Sequence, residues 1–494
     1  MIQAGIVAII AWGAFAFGAV YDWAYLPLLA ACAIVGLLGL AWGRRAPPSA
    51  ANRAVLIGLL VVLAAGFAQL VPLPSGALKT LSPATDAFLQ RYDLAYAMAA
   101  SRHPLSIDPR ATILGLLFLG AFVLFLAGLL RAFARSGLRQ LVPAIMVLGV
   151  LLALVAIIQK AMLGDHAYMG MKIYGFWTPE SKLVVPFGPY VNRNHFAGWM
   201  LLAIPLAIGY LCALLERGTG RTRPDWRTRL LWLSTPQGGG ALLLIFAIVV
   251  MTMAVVMSMS RSGMASLAVA AVLVGWRLLR TLNTSGARLA VAALFVLLVA
   301  VPAVWLGLGA TVERFSSDSR GSIDTRLRAW RDTRTIIRDF PLTGTGLNTF
   351  GTAMVVYQSG SRDVHFQESH NDYLQLLAEG GLLLGVPIVA ACVLFVRAVR
   401  RRFREGRDDR TSSWIRFGAA VGVLAIALQS LVEFSLQMPG NAAFFVVLVA
   451  IAMHRPAAGK GATGCCKVRV QQGAPGFSSR APPPGLRRGR PMTS

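Results

Sequence analysis

Charged residues are scarce in this sequence. Only 14% of the 494 residues are Asp, Glu, Lys or Arg, whereas 56% are hydrophobic, and the mean hydropathy is +0.63. A soluble globular domain carries about a quarter charged residues, so the composition excludes that class and favours a membrane protein. Cysteine is also rare. None of the five lies in a segment predicted outside the cytoplasm, which excludes structural disulfides there.

Common cofactor-binding motifs are missing as well. The chain has no glycine-rich loop ending in Lys-Ser/Thr that would cradle nucleotide phosphates, which disfavours an ATP-driven pump. It has no nucleophile elbow of the Gly-x-Ser-x-Gly kind. His365 and His370 are the nearest approach to a metal-binding pattern, but no further His, Cys or carboxylate cluster accompanies them. We therefore expect no metal and no cofactor.

Long apolar stretches, by contrast, recur along the whole chain, and each can cross a hydrocarbon core of about 30 Å. They predict an all-α polytopic membrane protein of about twelve transmembrane helices. The predicted spans are 2–20, 24–42, 54–72, 111–131, 141–161, 196–215, 241–259, 263–280, 289–309, 374–399, 414–433 and 440–454.

The chain divides into three predicted regions. N-terminal transmembrane helices occupy 1–185, and a membrane core occupies 186–455. The core includes a large, helical extracytoplasmic loop at 310–373. Residues 456–494 are rich in Gly, Pro, Ser and Arg and have no apolar periodicity, so they predict a disordered basic tail in the cytoplasm.

The excess of basic residues predicts the orientation of the helices. With the N-terminus in the cytoplasm, the segments on that side hold 30 of the 47 Lys and Arg but 5 of the 21 Asp and Glu. This positive-inside pattern predicts that both termini are cytoplasmic. The net charge of +26 then reflects contact with the anionic head groups of membrane lipids, and nucleic acid is not an expected partner.

Arg261 is the most informative single position. It lies in Ser260-Arg-Ser-Gly263, between two apolar spans joined by almost no loop. An arginine at a membrane boundary either snorkels into the head groups or binds a ligand there. We favour binding because basic residues between spans are scarce on the extracytoplasmic side. A guanidinium suits a pair of phosphate oxygens at this depth.

His370 is the second candidate. It stands where the extracytoplasmic loop meets a predicted span, flanked by Glu368, Asn371 and Asp372. A lone histidine is more often structural than catalytic, but nearby arginines disfavour imidazolium here. A neutral imidazole has a nitrogen that accepts a proton near neutral pH.

A third candidate segment precedes the sixth predicted span. It reads Asn192-Arg-Asn-His-Phe-Ala197 and contains Arg193 and His195. Asn192 or Asn194 suits the N-cap of the helix, which is the structural interpretation. Capping does not account for Arg193, which faces the same aqueous side as Arg261 and His370.

The large loop carries two further features. Residues 322–340 predict a helix ended by Pro341, with an apolar face that contains Trp330, Ile337 and Phe340 and is typical of a membrane interface. After it come Gly344 and Gly346, which allow the backbone to approach another group closely.

Taken in order, the segments 192–197, 260–263 and 326–385 resemble the O-antigen ligase and O-antigen polymerase family of bacterial envelope proteins. The third segment includes Phe-Pro-Leu-Thr-Gly-Thr-Gly and Ser-His-Asn-Asp-Tyr-Leu-Gln. The resemblance covers roughly 185–452, and the segment 433–441 looks like that of members found in exopolysaccharide gene clusters. It implies a GT-C-like membrane fold in the bacterial inner membrane, with a periplasmic active site.

The resemblance also implies a chemistry. Family members transfer a glycan, with inversion and without a metal, from an undecaprenyl-diphosphate-linked donor to an acceptor hydroxyl. On this pattern His370 is the general base, and Arg261, Arg193 and Arg326 bind the diphosphate. The supporting residues are Asn371, Asn194, His195, Gly344 and Gly346.

The sequence leaves the identity of the acceptor open. A ligase transfers the glycan to lipid A-core and completes lipopolysaccharide, a polymerase extends a lipid-linked glycan, and an oligosaccharyltransferase modifies a protein serine. The alternative outside enzymes is a transporter or flippase for the lipid-linked glycan. A transporter is expected to show charged or interrupted helices near the membrane midplane and two related halves, which are not evident here.

Overall fold

The fold was analysed in a computed structural model. The structure describes residues 2–42, 49–99, 101–136, 138, 140–163, 172–179, 185–219, 231, 234–281, 308–360, 365–405 and 410–455. Met1–Pro456 form one compact unit. The predicted tail, 456–494, lies outside the described residues. The boundary predicted at residues 185 and 186 stays a prediction.

Helices make up nearly all of the secondary structure that the described residues form. The only other regular elements among them are two 3-10 turns, Phe17–Ala19 and Ser435–Gln437, and an antiparallel pair of two-residue strands, β1 (Leu73–Pro74) and β2 (Arg102–His103). The helices are α1 (Ile2–Phe15), α2 (Asp22–Trp42), α3 (Ala50–Ala68), α4 (Ser75–Leu81), α5 (Pro83–Tyr92), α6 (Leu94–Ala99), α7 (Pro109–Ser136), α8 (Leu141–Leu163), α9 (Arg193–Thr219), α10 (Pro236–Met257), α11 (Arg261–Thr281), α12 (Leu308–Asp339), α13 (Phe350–Tyr357), α14 (Asp372–Arg404), α15 (Arg410–Gln429) and α16 (Pro439–Ala452).

Nine of the described helices are long and apolar enough to cross a membrane, as judged by length and composition. They are α2, α3, α7, α8, α9, α10, α11, α14 and α15, while α1 and α16 are apolar but shorter. These helices confirm an all-α, polytopic membrane architecture. The segment 289–309, predicted as a further span, lies almost wholly outside the described residues. The count of about twelve spans and the GT-C-like class stay predictions.

The core of the protein is built around α9, the most deeply buried of the described candidate spans. It packs along α15 and also contacts α10 and α11. Gly209 of α9 lies against Gly418 of α15, and a Cβ atom at Gly209 would stand 2.6 Å from the Trp414 oxygen and 3.0 Å from the Gly418 Cα. Small residues let two membrane helices approach at backbone distance, so this pair fixes the spacing of α9 and α15.

We expect Gly209→Val to destabilise the protein by about 1–3 kcal/mol, because the added atoms push against backbone that has no room to move. The thermal unfolding midpoint of the purified protein in detergent measures this effect. Gly240→Val in α10 is the matched control, since nothing lies within 4 Å of a Cβ there. Equal midpoints for the two variants would contradict the assigned role of Gly209.

The helix predicted at 322–340 is longer in the structure, where α12 begins at Leu308 and ends at Asp339. Its last turn does not offer an apolar face to lipid head groups. Ile336 and Phe340 are buried in a protein core with Phe350 of α13 and Ala378 of α14. The same amphipathic spacing serves a helix on a membrane surface and a helix that covers protein, so the sequence pattern could not separate the two.

Candidate active site

The first turn of α9 presents two predicted residues at one end of the helix bundle. Asn192 caps the helix, with its Oδ1 accepting a hydrogen bond from the Asn194 backbone N at 2.9 Å. The Asn194 side chain is therefore not needed as the cap, and it reaches across to donate from Nδ2 to Glu433 Oε1 at 2.7 Å. Arg193 is the first residue of α9.

The first turn of α11 places Arg261 at the same end. Helix α10 ends at Met257, and the chain reverses through a tight turn in which Met259 has a φ of +57°. Ser260 Oγ then accepts a hydrogen bond from the Gly263 backbone N at 3.3 Å, and α11 begins at Arg261. The short turn fixes Arg261 at the junction of two apolar helices.

The three predicted arginines line one pocket, although they are far apart in sequence. The pocket has an empty volume of about 380 Å³. Its lining residues are Arg193, Asn194, Met259, Arg261, Ser262, Arg326 and Glu433. Two helices, α9 and α11, begin at this pocket, and helix N-termini carry partial positive charge and attract anions. Three guanidinium groups and a single carboxylate give the pocket a net positive charge that suits an anion with several oxygens.

Glu433 is the site residue that the sequence did not predict. Its side chain is 1% exposed, and Oε1 forms an ion pair with Arg326 Nη2 in addition to the hydrogen bond from Asn194. A signal for it existed, because an ionisable residue at the end of a predicted apolar span is by default a functional candidate. Glu433 therefore links the arginine pocket to His370.

His370 lies beside the pocket and contacts it through Glu433. The His370 Nδ1 atom is 3.8 Å from Glu433 Oε2, and the imidazole is 26% exposed. Its ring stands edge-on to Phe434, with ring centroids 5.0 Å apart. The residue has a φ of +54°, an uncommon conformation for a non-glycine residue, and it lies two positions before the start of α14.

Residues 246–389 match the family model described as O-Antigen ligase. They form an O-antigen ligase domain. This match confirms the family predicted from the sequence, and it includes Arg261, Arg326 and His370. Arg193 and Glu433 come from outside the matched segment. No curated protein matches the chain.

Two of the predicted supporting residues hold elements of the O-antigen ligase domain and its surroundings in place. Asn371 caps α14, because its Oδ1 accepts hydrogen bonds from the Tyr373 and Leu374 backbone N atoms. Its Nδ2 donates to the Leu431 oxygen at 2.8 Å. His195 is buried, with its ring centroid 4.6 Å from that of Phe434. Neither side chain lines the arginine pocket.

The two predicted glycines serve the fold of the O-antigen ligase domain. Helix α14 is interrupted at Gly381, which has a φ of +53°. The segment containing Gly344 and Gly346 lies against this interruption, and Gly346 N donates to the Glu379 oxygen at 2.9 Å. Both glycines have positive φ, so this is the close backbone approach that their spacing predicted. It is made to α14, and neither glycine lines the arginine pocket.

Within the described part of the chain, no group of three or more His, Cys, Asp or Glu side chains has an arrangement that would hold a metal ion. His365, the other member of the predicted histidine pair, is exposed.

The buried carboxyl of Glu368, in the O-antigen ligase domain, is expected to make the stability of the fold depend on pH. Burial raises the pKa of its carboxyl from 4.5 to about 7, and the neighbouring His370 opposes this change. The charged form is therefore disfavoured in the folded protein, and stability falls as the pH rises from about 4.5 through 7. We expect Glu368→Gln to raise the thermal midpoint at pH 8 more than at pH 5.

Thermal midpoints of wild type and Glu368→Gln at the two pH values test this prediction. Glu405→Gln is the control, because Glu405 lies at the far end of α14 and pairs with Arg401 and Arg402. That variant is expected to show no gain at pH 8. A Glu368→Gln midpoint that shifts equally at both pH values would show that the carboxyl does not titrate in this range.

Proposed function

We propose that the chain transfers a glycan from an undecaprenyl-diphosphate-linked donor to an acceptor hydroxyl, without a metal or other cofactor. Membership of the O-antigen ligase family supports glycosyl transfer of the ligase or polymerase type in general. The observation that carries the finer proposal is the convergence of Arg193, Arg261 and Arg326 on one pocket. Such a pocket suits the diphosphate, the one part of the donor that is both charged and independent of the sugar.

The pocket supplies the stabilisation that the departing diphosphate needs. When the bond between the anomeric carbon and the diphosphate oxygen breaks, the electron pair stays on that oxygen and negative charge grows there. Fixed guanidinium groups and helix N-termini meet this charge without reorganising. Because the diphosphate is already a good leaving group, positioning and cationic stabilisation account for much of the required rate enhancement.

His370 is the proposed general base. The acceptor oxygen forms the new bond to the anomeric carbon on the face opposite the diphosphate, so the configuration inverts, and its proton passes to the imidazole. The ring suits this role because it is partly exposed and lies beside the pocket, while Oε1 of the neighbouring carboxylate, Glu433, is already bound to Arg326 and Asn194.

The location of the reaction follows from the predicted orientation. Basic loops and both termini in the cytoplasm would put the pocket on the periplasmic face of the bacterial inner membrane, where lipid-linked glycans are consumed. The acceptor is a glycan or lipid A-core in this proposal. The chemistry is the same for a ligase and a polymerase, and the difference lies in the group that presents the hydroxyl.

Purified protein in lipid, a lipid-linked oligosaccharide donor and candidate acceptors test the proposal. The expected result is release of undecaprenyl diphosphate in step with glycan appearing on the acceptor. Movement of the intact lipid across the bilayer without cleavage of the sugar–phosphate bond would overturn it in favour of a transporter. The glycan profile of a deletion strain identifies the acceptor: unligated polymer indicates a ligase, and single repeats indicate a polymerase.

A further inference from the structure

We propose that Glu433 is a positioning residue that accepts a hydrogen bond from His370 Nδ1 and thereby couples the base to the arginine pocket. This inference rests on the proposed function. Glu433 touches both halves of the site: Oε1 binds Arg326 and Asn194, and Oε2 faces His370. Glu433 is therefore a residue of the pocket lining that also contacts the imidazole.

The unpaired atoms of the two side chains face each other. Glu433 Oε2 and His370 Nδ1 are both buried and neither has a hydrogen-bond partner. They lie 3.8 Å apart, so a movement of about 1 Å brings them to hydrogen-bond distance. Leaving a buried polar group unpaired costs about 1–3 kcal/mol, which gives the pair a reason to close. Catalytic hydrogen bonds are often long in the free enzyme and tighten when substrate binds.

A hydrogen bond at Nδ1 decides which nitrogen is the base. A carboxylate accepts only, so it selects the tautomer with the proton on Nδ1 and leaves Nε2 to take the proton of the acceptor hydroxyl. The ring of Phe434, next in sequence to Glu433, lies at 73° to the imidazole, and this packing restricts the rotation of the imidazole. Glu433 and Phe434 together hold the imidazole in one orientation.

Other charged groups surround His370, and among the described residues Glu433 is the carboxylate that the structure pairs with its Nδ1 atom. Glu368 and Asp372 flank it in sequence, and His195 of α9 interacts with it electrostatically. Gln437 Nε2 donates to Asp372 Oδ1 at 2.9 Å, and Asp372 Oδ2 is buried without a hydrogen-bond partner. The cation Arg326 is paired with the other oxygen of Glu433, which neutralises it.

Glu433→Gln is the decisive variant. Glutamine keeps an acceptor for Arg326 and Asn194 but turns an NH2 group toward His370 Nδ1, which favours the tautomer with the proton on Nε2. We expect kcat for glycan transfer to fall about 100-fold, whereas the KM for the donor changes less than about threefold. The acidic limb of the rate profile should move to lower pH, because imidazolium loses the carboxylate that stabilises it.

Glu433→Asp is expected to recover part of kcat, since it restores an acceptor at a shorter reach. Unchanged kcat and an unchanged pH profile in Glu433→Gln would overturn the inference. A thermal midpoint measured for each variant identifies one that has lost its fold. If Glu433→Gln does not fold, Glu433→Asp is the test. A pH profile of Glu433→Asp identical to that of wild type would then overturn the inference.

A second readout does not depend on turnover. Diethyl pyrocarbonate modifies neutral imidazole, and mass spectrometry of the peptide containing His370 reports the rate at each pH. We expect the midpoint of that rate to lie at lower pH in Glu433→Gln than in wild type. If this shift appears but wild type transfers no glycan, the proposed function fails while the positioning role stands. If wild type transfers glycan and the midpoint does not move, the positioning role fails alone.

Discussion

Replacing Arg261 with alanine is expected to lower kcat for glycan transfer by about 10²–10³-fold, the usual cost of removing one group that stabilises developing negative charge. Arg261 is the first residue of α11 and shares the pocket with Arg193 and Arg326. Its loss removes a cation from the proposed diphosphate site. The kcat of Arg261→Lys should lie between those of wild type and Arg261→Ala, because lysine keeps the charge but not the planar pair of donors. Release of undecaprenyl diphosphate from labelled donor measures the effect.

Arg280→Ala is the matched control for Arg261→Ala. Arg280 is an arginine of the same helix at its opposite end, where its guanidinium lies over the Trp276 ring. It has no access to the pocket, so transfer should stay within about twofold of wild type. A loss smaller than threefold in a folded Arg261→Ala variant would contradict its role at the diphosphate, as would an equal loss in Arg280→Ala.

His370→Ala is expected to reduce kcat by about 10²–10⁴-fold, the range for removal of a general base, with the donor still bound. Donor affinity should persist because His370 does not line the arginine pocket. Titration of the variant with labelled donor measures binding, and the transfer assay measures kcat. The two together distinguish a lost base from a collapsed site.

His365→Ala provides the control for His370→Ala. It removes a histidine from the same loop, five positions away, whose side chain is exposed. Full turnover is expected. A folded His370→Ala protein that transfers glycan at the wild-type rate would remove the histidine from the mechanism and leave only the arginine pocket.

Local features of the chain predicted most of the helices and two of the three pocket arginines. Apolar runs long enough to cross a bilayer correspond to the nine candidate spans, because bilayer thickness sets helix length directly. Arg193 and Arg261 stood out because an arginine beside an apolar span is costly without a purpose. Arg326 was found only through the family resemblance.

Long-range pairing set the limit of the sequence-based prediction. Glu433 meets Arg326, 107 positions away, and Asn194, 239 positions away. No periodicity or spacing within one sequence encodes such contacts. Gly344 and Gly346 were assigned to the site for a related reason, since glycines in a turn-rich segment indicate a close backbone approach without naming the partner. Here the partner is the interruption of α14 at Gly381.

The pocket draws its polar side chains from four distant stretches of chain, at Arg193, Arg261, Arg326 and Glu433. During synthesis the three arginines therefore leave the ribosome before the carboxylate that neutralises one of them. A chain shortened to residues 246–389 would lack Arg193, Asn194 and Glu433, so the segment that carries the family resemblance should be inert by itself.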